Sequence, residues 1–363
     1  MASRAASSAT FDTRRQLLAD ADRFVHGLSA AFGEAAKRHC AELQVRVAGH
    51  SVLFRIAGVA WSEIVVAAMG HLAEVGQQTP ELIVELWDVH GTGVAPPAAV
   101  QFEDDTPPIL MRMSEDGTYI GEERHHGMTW LDRARNRIVG YTLDTGRLNL
   151  DERARPVHKL LSAWLEERGV QFVHSGLIAH AERGVLFVGS GGAGKSTSSI
   201  CCLRAGMGYL GDDFIALGSD QGGFVGHGLY ASCLLNVHHI KRFPDLLPLA
   251  HAPNHAEEEK YVLYLTEAFP SSLRACATVD ALMLPRVVDA DVTTYRRASK
   301  AETLLAIAPT SVMLLPRPNR DAFQRLARLV DTTPSFWLEL GRSVDSIPDA
   351  VRSLAESLPV RST

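Results

Sequence analysis

Long apolar runs are missing from this sequence. No stretch of its 363 residues approaches the ~18 consecutive apolar residues that suggest a membrane span, so no membrane partner is expected. The first ten residues, MASRAASSAT, hold no apolar block of the kind that marks a secretory signal. Cysteine is scarce. Cys40, Cys201, Cys202, Cys233 and Cys276 are odd in number and show neither metal-type spacing nor a disulfide framework. Reduced thiols in a soluble, cytoplasmic protein are the expectation. Excess positive charge is absent too. The 36 Lys and Arg are outnumbered by 42 Asp and Glu, for a net charge of -6, which argues against nucleic acid as a partner. Internal repeats and coiled-coil heptads are also lacking, and the sequence leaves a homo-oligomer open.

What remains is the composition of an ordinary globular protein. At 46% hydrophobic residues, the chain can bury a core in each of two domains. The first ten residues read as disordered, and a helical pattern covers Phe11 to about Cys40. Two alternating runs, Leu43–Val47 and Val52–Ile56, flank the turn Ala48-Gly49-His50-Ser51 and predict a hairpin. A helix is predicted over Trp61–Val75 and a strand over Glu81–Trp87. Short strands are predicted over Ile109–Met113, Thr118–Gly121 and Arg137–Thr142. Residues 1–149 thus read as a strand-rich α+β domain, suited to recognising a substrate or partner. Trp87 and Trp130 are assigned to its core or to a partner groove.

The character changes near Leu150. Pro156 can open a helix with Leu160, Leu161, Trp164 and Leu165 on its apolar face, and Gly169 can end it. Helices and strands then alternate to the end, so residues 150–363 read as an α/β domain. Strands are predicted over Val185–Val188, Ala281–Leu284 and Phe336–Leu340, with another ending at Leu210. Helices are predicted over Ser196–Arg204, Lys300–Ile307, Arg320–Leu329 and Pro348–Leu358.

Within this second half stands VGSGGAGKST, Val188 to Thr197. Gly189, Ser190, Gly191, Gly192, Ala193, Gly194, Lys195 and Ser196 fit the phosphate-loop pattern G-x-x-x-x-G-K-[ST], after an apolar strand and before a helix. Residues without a Cβ let successive N–H groups converge on anionic oxygens, and the helix N-terminus adds its positive end. Lys195 would bring a full charge to the β- and γ-phosphates, and the Ser196 hydroxyl could ligate magnesium. Thr197 closes the predicted nucleotide-binding segment.

Asp212 and Asp213 follow the loop lysine by 17 and 18 residues, at the end of a returning strand. One could support the metal while the other faces an attacking hydroxyl; spacing alone leaves open which. His174 lies 15 residues before Gly189. A lone histidine is more often structural than catalytic. Lys260 and Arg286 are further cations that could reach a phosphate. The pairs His125-His126 and His238-His239 lack partners at metal-ligand spacing and read as surface or loop residues. Glu257-Glu258-Glu259 reads as a solvated run.

These spacings resemble the HPr kinase/phosphorylase family, bacterial kinases that phosphorylate a serine of a carrier protein. The resemblance is carried by His174, Gly189, Lys195, Asp212 and Asp213, within Val173–Phe214. Stretches such as LDRARNRIVGY and SFWLELGRSVDSIPDAV resemble the broader HPr-kinase-like set, which includes kinases of peptides. The resemblance implies a PEP-carboxykinase-like P-loop domain with a mixed sheet. It implies ATP and Mg²⁺ as cofactors and a Ser or Thr of a protein or peptide as acceptor. It casts Asp213 as proton acceptor, Asp212 near the metal and His174 as an assisting group. Thr197 stands where the family has a glutamate. Two other functions remain open on the sequence. One is a small-molecule kinase acting on a sugar or amino acid, and the other a nucleotide-dependent switch with little turnover.

Overall fold

A computed structural model of the chain describes residues 20–74, 76, 78–97, 109–124, 126–220, 223–252, 260–313 and 320–359. The fold is mixed α/β, built on mixed sheets. It divides into two compact units, Met1–Val66 with Ala73–Trp164 and Ala67–Leu72 with Leu165–Thr363.

In the first unit, helix α1 (Ala21–Ala36) buries Phe24, Val25, Leu28, Phe32 and Ala35, one apolar stripe at helical spacing. Residues 1–19, including the start of the predicted helix, lie outside the described residues. The predicted hairpin is present as β1 (Ala41–Val47) and β2 (His50–Ala57), with Val47 opposite His50. Its two turn residues, Ala48 and Gly49, have φ of 50° and 88°. That left-handed pair matches the twist of the flanking strands. Helix α2 (Val59–Met69) then crosses to β3 (Leu82–Asp88), which lies parallel to β2. The remaining strands are β4 (Ile109–Met113), β5 (Tyr119–Arg124), β6 (Gly127–Asp132) and β7 (Arg137–Thr142). They form an antiparallel meander whose last strand pairs with β3 in parallel. The seven-stranded order is β1-β2-β3-β7-β6-β5-β4. Trp87 and Trp130 are fully buried beside α1, so both belong to the core. Strand β6, which carries Trp130, was not among the predicted strands. Helices α3 (Leu150–Ala154) and α4 (His158–Glu166) follow, and Gly169 at φ 76° turns the chain out of the second.

The second unit is organised by two long strands that change partner part-way. Strand β8 (Gln171–His180) pairs through Ser175–His180 with β9 (Arg183–Val188). Its first four residues pair instead with β11 (Phe214–Asp220). Strand β16 (Cys276–Val287) meets β12 (Gly223–His227) at its start, then β9, then β18 (Ser335–Leu340). Strands β9, β16 and β18 run parallel. Strand β10 (Gly208–Gly211) is antiparallel to β8, which is itself antiparallel to β9, so β10 shares the direction of β9. The C-terminal ends of β9, β10, β16 and β18 therefore lie at one edge. Ligands of α/β sheets bind at such an edge.

Alternate residues of the central strands face opposite layers. Val185 and Phe187 pack with α5 (Lys195–Arg204) and α8 (Ile347–Ser357). Leu186 and Val188 pack on the other face with α6 (Lys300–Val312) and α7 (Arg320–Thr332). A small third sheet holds β13 (Ser232–Asn236), β14 (Ala250–His251) and β15 (Lys260–Tyr264), and β17 (Thr294–Arg297) borders β18. No described helix is long and apolar enough to cross a membrane.

Candidate functional site

The glycine loop follows β9 and opens α5, as its sequence predicts. Gly192 and Gly194 have φ of 80° and 110°, a conformation strained for residues with a Cβ. Gly194 is doubly constrained: a Cβ there would lie 2.5 Å from Leu340 Cδ1. Ser190, Gly191 and Gly192 are exposed, so the crest of the loop faces solvent. Lys195 is only 5% exposed. Its Nζ donates to the carbonyls of Gly189 at 2.8 Å and Ser190 at 3.1 Å. Burial pushes its pKa below the ordinary lysine value, while the nearby Asp213 and Asp212 charges pull it back up. The Lys260 charge, on β15, is also felt at Lys195 and opposes protonation.

The aspartate pair is a break in the sheet. Strands β10 and β11 both pair with β8, through Leu177–Ala179 and Gln171–His174, and Asp212-Asp213 interrupts the run between them. The Ser175 N–H donates to the Asp213 carbonyl at 3.2 Å, which pins the irregular segment to β8. The break sends the two side chains to different surroundings. Asp213 Oδ1 lies 2.7 Å from His174 Nε2, with the two side chains 24% and 22% exposed. The His174 backbone N–H donates to Ser311 Oγ at 3.1 Å. Since Ser175 pairs with Val188, His174 lies beside the first loop glycine. Asp212 is buried, at 3% exposure. The Tyr209 hydroxyl donates to its Oδ1 at 3.1 Å and the Cys233 thiol to its Oδ2 at 3.2 Å. Burial first, then the Asp212 charge, pushes both donors' pKa values well above their ordinary range, so each keeps its proton.

Gly176 ties this segment to the loop helix. A Cβ there would lie 2.5 Å from Ser199 Oγ and 3.3 Å from the Asp212 Cα, so Ser199 and Asp212 both rest on that glycine. Ser196 precedes Ser199 by three residues and shares its helix face. That places Ser196 on the Asp212 side of α5. Hydroxyl and carboxylate oxygens are the hard donors Mg²⁺ prefers, and Mg²⁺ needs few protein ligands beyond phosphate and water. The residues present fit that ion. Among the described residues, no group of three or more His, Cys, Asp or Glu could hold a metal by itself.

Other sequence candidates fare differently. Arg286 donates to Glu339 Oε1 at 2.5 Å and stacks on the Trp337 ring at 4.5 Å, so its guanidinium is already engaged. His238 and His239 lie on a short helical turn, Val237–Ile240, and join no metal-holding group among the described residues. His125 and Glu257-Glu258-Glu259 lie outside the described residues. Gly176, Ser199, Tyr209 and Cys233 were not singled out from sequence. Their signal is spatial, because Cys233 stands 21 positions from the carboxylate it touches.

No family model matches the chain, and no curated protein matches it. Among solved structures, the HPr(Ser) kinase/phosphatase of Coxiella burnetii is a weak structural neighbour. Its TM-score is 0.30 at 12% identity, over 51% of this chain and 88% of that one.

Proposed function

We propose that the chain is an ATP- and Mg²⁺-dependent phosphotransferase with a PEP-carboxykinase-like P-loop domain. It moves the γ-phosphoryl group to a hydroxyl, that of a Ser or Thr on a protein or peptide. The observation that carries this reading is the convergence of Lys195, the loop of Gly189–Gly194 and the Asp213–His174 pair at one strand edge.

Each residue has a distinct task. The loop N–H groups and Lys195 receive the phosphates. Lys195 exchanges its two loop carbonyls for phosphate oxygens as the nucleotide enters. Ser196 and Asp212 would hold magnesium, which supplies charge neutralisation along the phosphates. Asp213, partly open to solvent, accepts the proton of the incoming hydroxyl. Its hydrogen bond to His174 fixes the carboxylate's direction, which is worth rate because proton transfer depends on alignment. The strand-rich first unit is assigned to recognising the polypeptide.

Asp213→Asn tests the assignment. Transfer should fall by about 10²–10⁴, the usual worth of a positioned general base. ATP affinity, measured by calorimetry, should stay within about threefold, because Lys195 and the loop supply most phosphate contacts. Unaltered transfer in this variant rejects the role. Incubation with γ-labelled ATP and cell extract identifies the acceptor class. Label on a polypeptide supports the reading, and label on a soluble metabolite points to a small-molecule kinase. Binding without transfer points to a nucleotide switch.

A further inference from the structure

The two adjacent aspartates differ in what holds them, and that difference suggests residues that act through one of them. Asp212 is nearly inaccessible, and its two carboxylate oxygens accept from two different elements. Tyr209 reaches Oδ1 from β10, three residues back along the chain, with the Ser232 carbonyl a second and longer acceptor at 3.3 Å, and Cys233 reaches Oδ2 from β13. Both donors are fully buried, at 1% and 0% exposure. A carboxylate held at both oxygens is restrained about its terminal bond, so its plane is set before any ligand arrives. Both donors are also neutral, so they orient the carboxylate without cancelling its charge as an arginine would. A buried cysteine is usually a small apolar filler. One whose sulfur lies 3.2 Å from a carboxylate oxygen is a hydrogen-bond donor with a specific target.

We infer that Cys233 and Tyr209 are positioning residues that orient the Asp212 carboxylate toward the metal side of the loop, and thereby set the gain in nucleotide affinity that magnesium gives. The inference rests on the function proposed above and adds a division of labour. Asp212 is the rigid carboxylate, clamped by Tyr209 and Cys233, whereas Asp213 is the accessible one, aligned by His174. Groups that orient metal-holding side chains are typically worth about 10–100-fold in metal affinity.

The test is calorimetric titration of the full chain with ATP, once in EDTA and once in excess MgCl₂. The ratio of the two Kd values isolates the metal's share from that of the loop and Lys195. Cys233→Ala and Tyr209→Phe should each lower that ratio about tenfold and leave the EDTA value unchanged. Cys233→Ser, which keeps a donor at the same position, should recover most of the ratio. A role in packing alone would not separate Ser from Ala in this way. Thermal melting followed by circular dichroism establishes that each variant is folded, and Tyr209→Phe serves if Cys233→Ala does not fold. An unchanged ratio in a folded Cys233→Ala or Tyr209→Phe chain overturns the inference and leaves the phosphotransferase reading standing. A wild-type chain that binds ATP in neither buffer overturns both. A wild-type chain that binds ATP equally in the two buffers overturns the inference.

Discussion

Both units of this protein bury charge, and they hold it with a different balance of partners. In the first, Glu85, Glu122, Glu123 and Glu152 meet arginine, whereas the buried Asp88 accepts from a backbone N–H and a hydroxyl. Glu85, 2% exposed, lies 2.8 Å from Arg55 and 3.2 Å from Arg137. Arg112 reaches the buried Glu123 at 2.7 Å, and Arg124 lies between Glu122 at 2.7 Å and Glu152 at 3.3 Å. In the second unit, the buried Lys195 donates to two carbonyl oxygens and also feels the Asp213 and Asp212 charges, while a hydroxyl and a thiol donate to Asp212. A full counter-charge neutralises, and what results is structure. A neutral dipole satisfies hydrogen bonding without an ion pair in direct contact, so the ion can exchange that partner for a ligand oxygen. Under the proposed function, the contrast separates arginine–carboxylate pairs that hold the fold from groups that would meet a triphosphate.

The sharpest way to break this contrast is Lys195→Ala. If the lysine's charge serves a ligand, ATP affinity should fall by at least about 100-fold and transfer by about 10³ or more, as expected for loss of a cation from a phosphoryl-transfer site. Thermal stability should change far less than ATP binding, since the deletion leaves two carbonyls at a loop open to water and removes one cation near Asp213 and Asp212. A large drop in melting temperature with intact ATP binding would place Lys195 with the structural charges. Glu85→Ala is the converse experiment. Removing the shared acid leaves Arg55 and Arg137 facing each other, both about one-third exposed. Partial hydration softens the usual penalty for a broken buried pair, so a loss of about 2–3 kcal/mol in urea unfolding is expected, with ATP affinity unaltered.

Much of the second unit was legible because its signals are local. The loop's glycines sit where Gly192 and Gly194 adopt positive φ, and the helix after Lys195 ends near Gly206, whose φ is 81°. Every strand and helix predicted after Leu150 has a counterpart, from β9 to α8. What escaped depends on pairings remote in sequence. The resemblance put His174 and Asp213 in one site, but the partner switch of β8 at Ser175 that pairs them is encoded by no local pattern. Cys233 reads as an apolar position in an apolar strand. Gly176 looks like any strand glycine until Ser199 and Asp212 are seen resting on it. In the first unit β6 was missed because Gly127 and Thr129 dilute its alternation. The parallel pairing of β3 with β7 joins segments half a domain apart.

His71 extends the comparison to a third solution, in which a buried group gives up its charge. It lies in the second unit, with its Nδ1 buried and without a hydrogen-bond partner, and burial pushes its pKa down to about 4 from the ordinary 6.5. The folded state thus keeps the imidazole neutral where the unfolded chain would protonate it. Between pH 6.5 and about 4 the unfolded chain binds more protons, so stability is full above pH 6.5 and declines with acidification. By pH 5.5 the decline should reach about 1 kcal/mol. His71→Gln removes the titrating group and should flatten that part of the profile. Urea unfolding of both chains at pH 7 and 5.5 measures it, and equal losses in the two would show that His71 is not the group that responds to acid. The effect is the smallest of the three because it concerns a proton that the folded chain does not bind at neutral pH. Lys195 and Glu85, by contrast, carry charges that the fold must accommodate at all times.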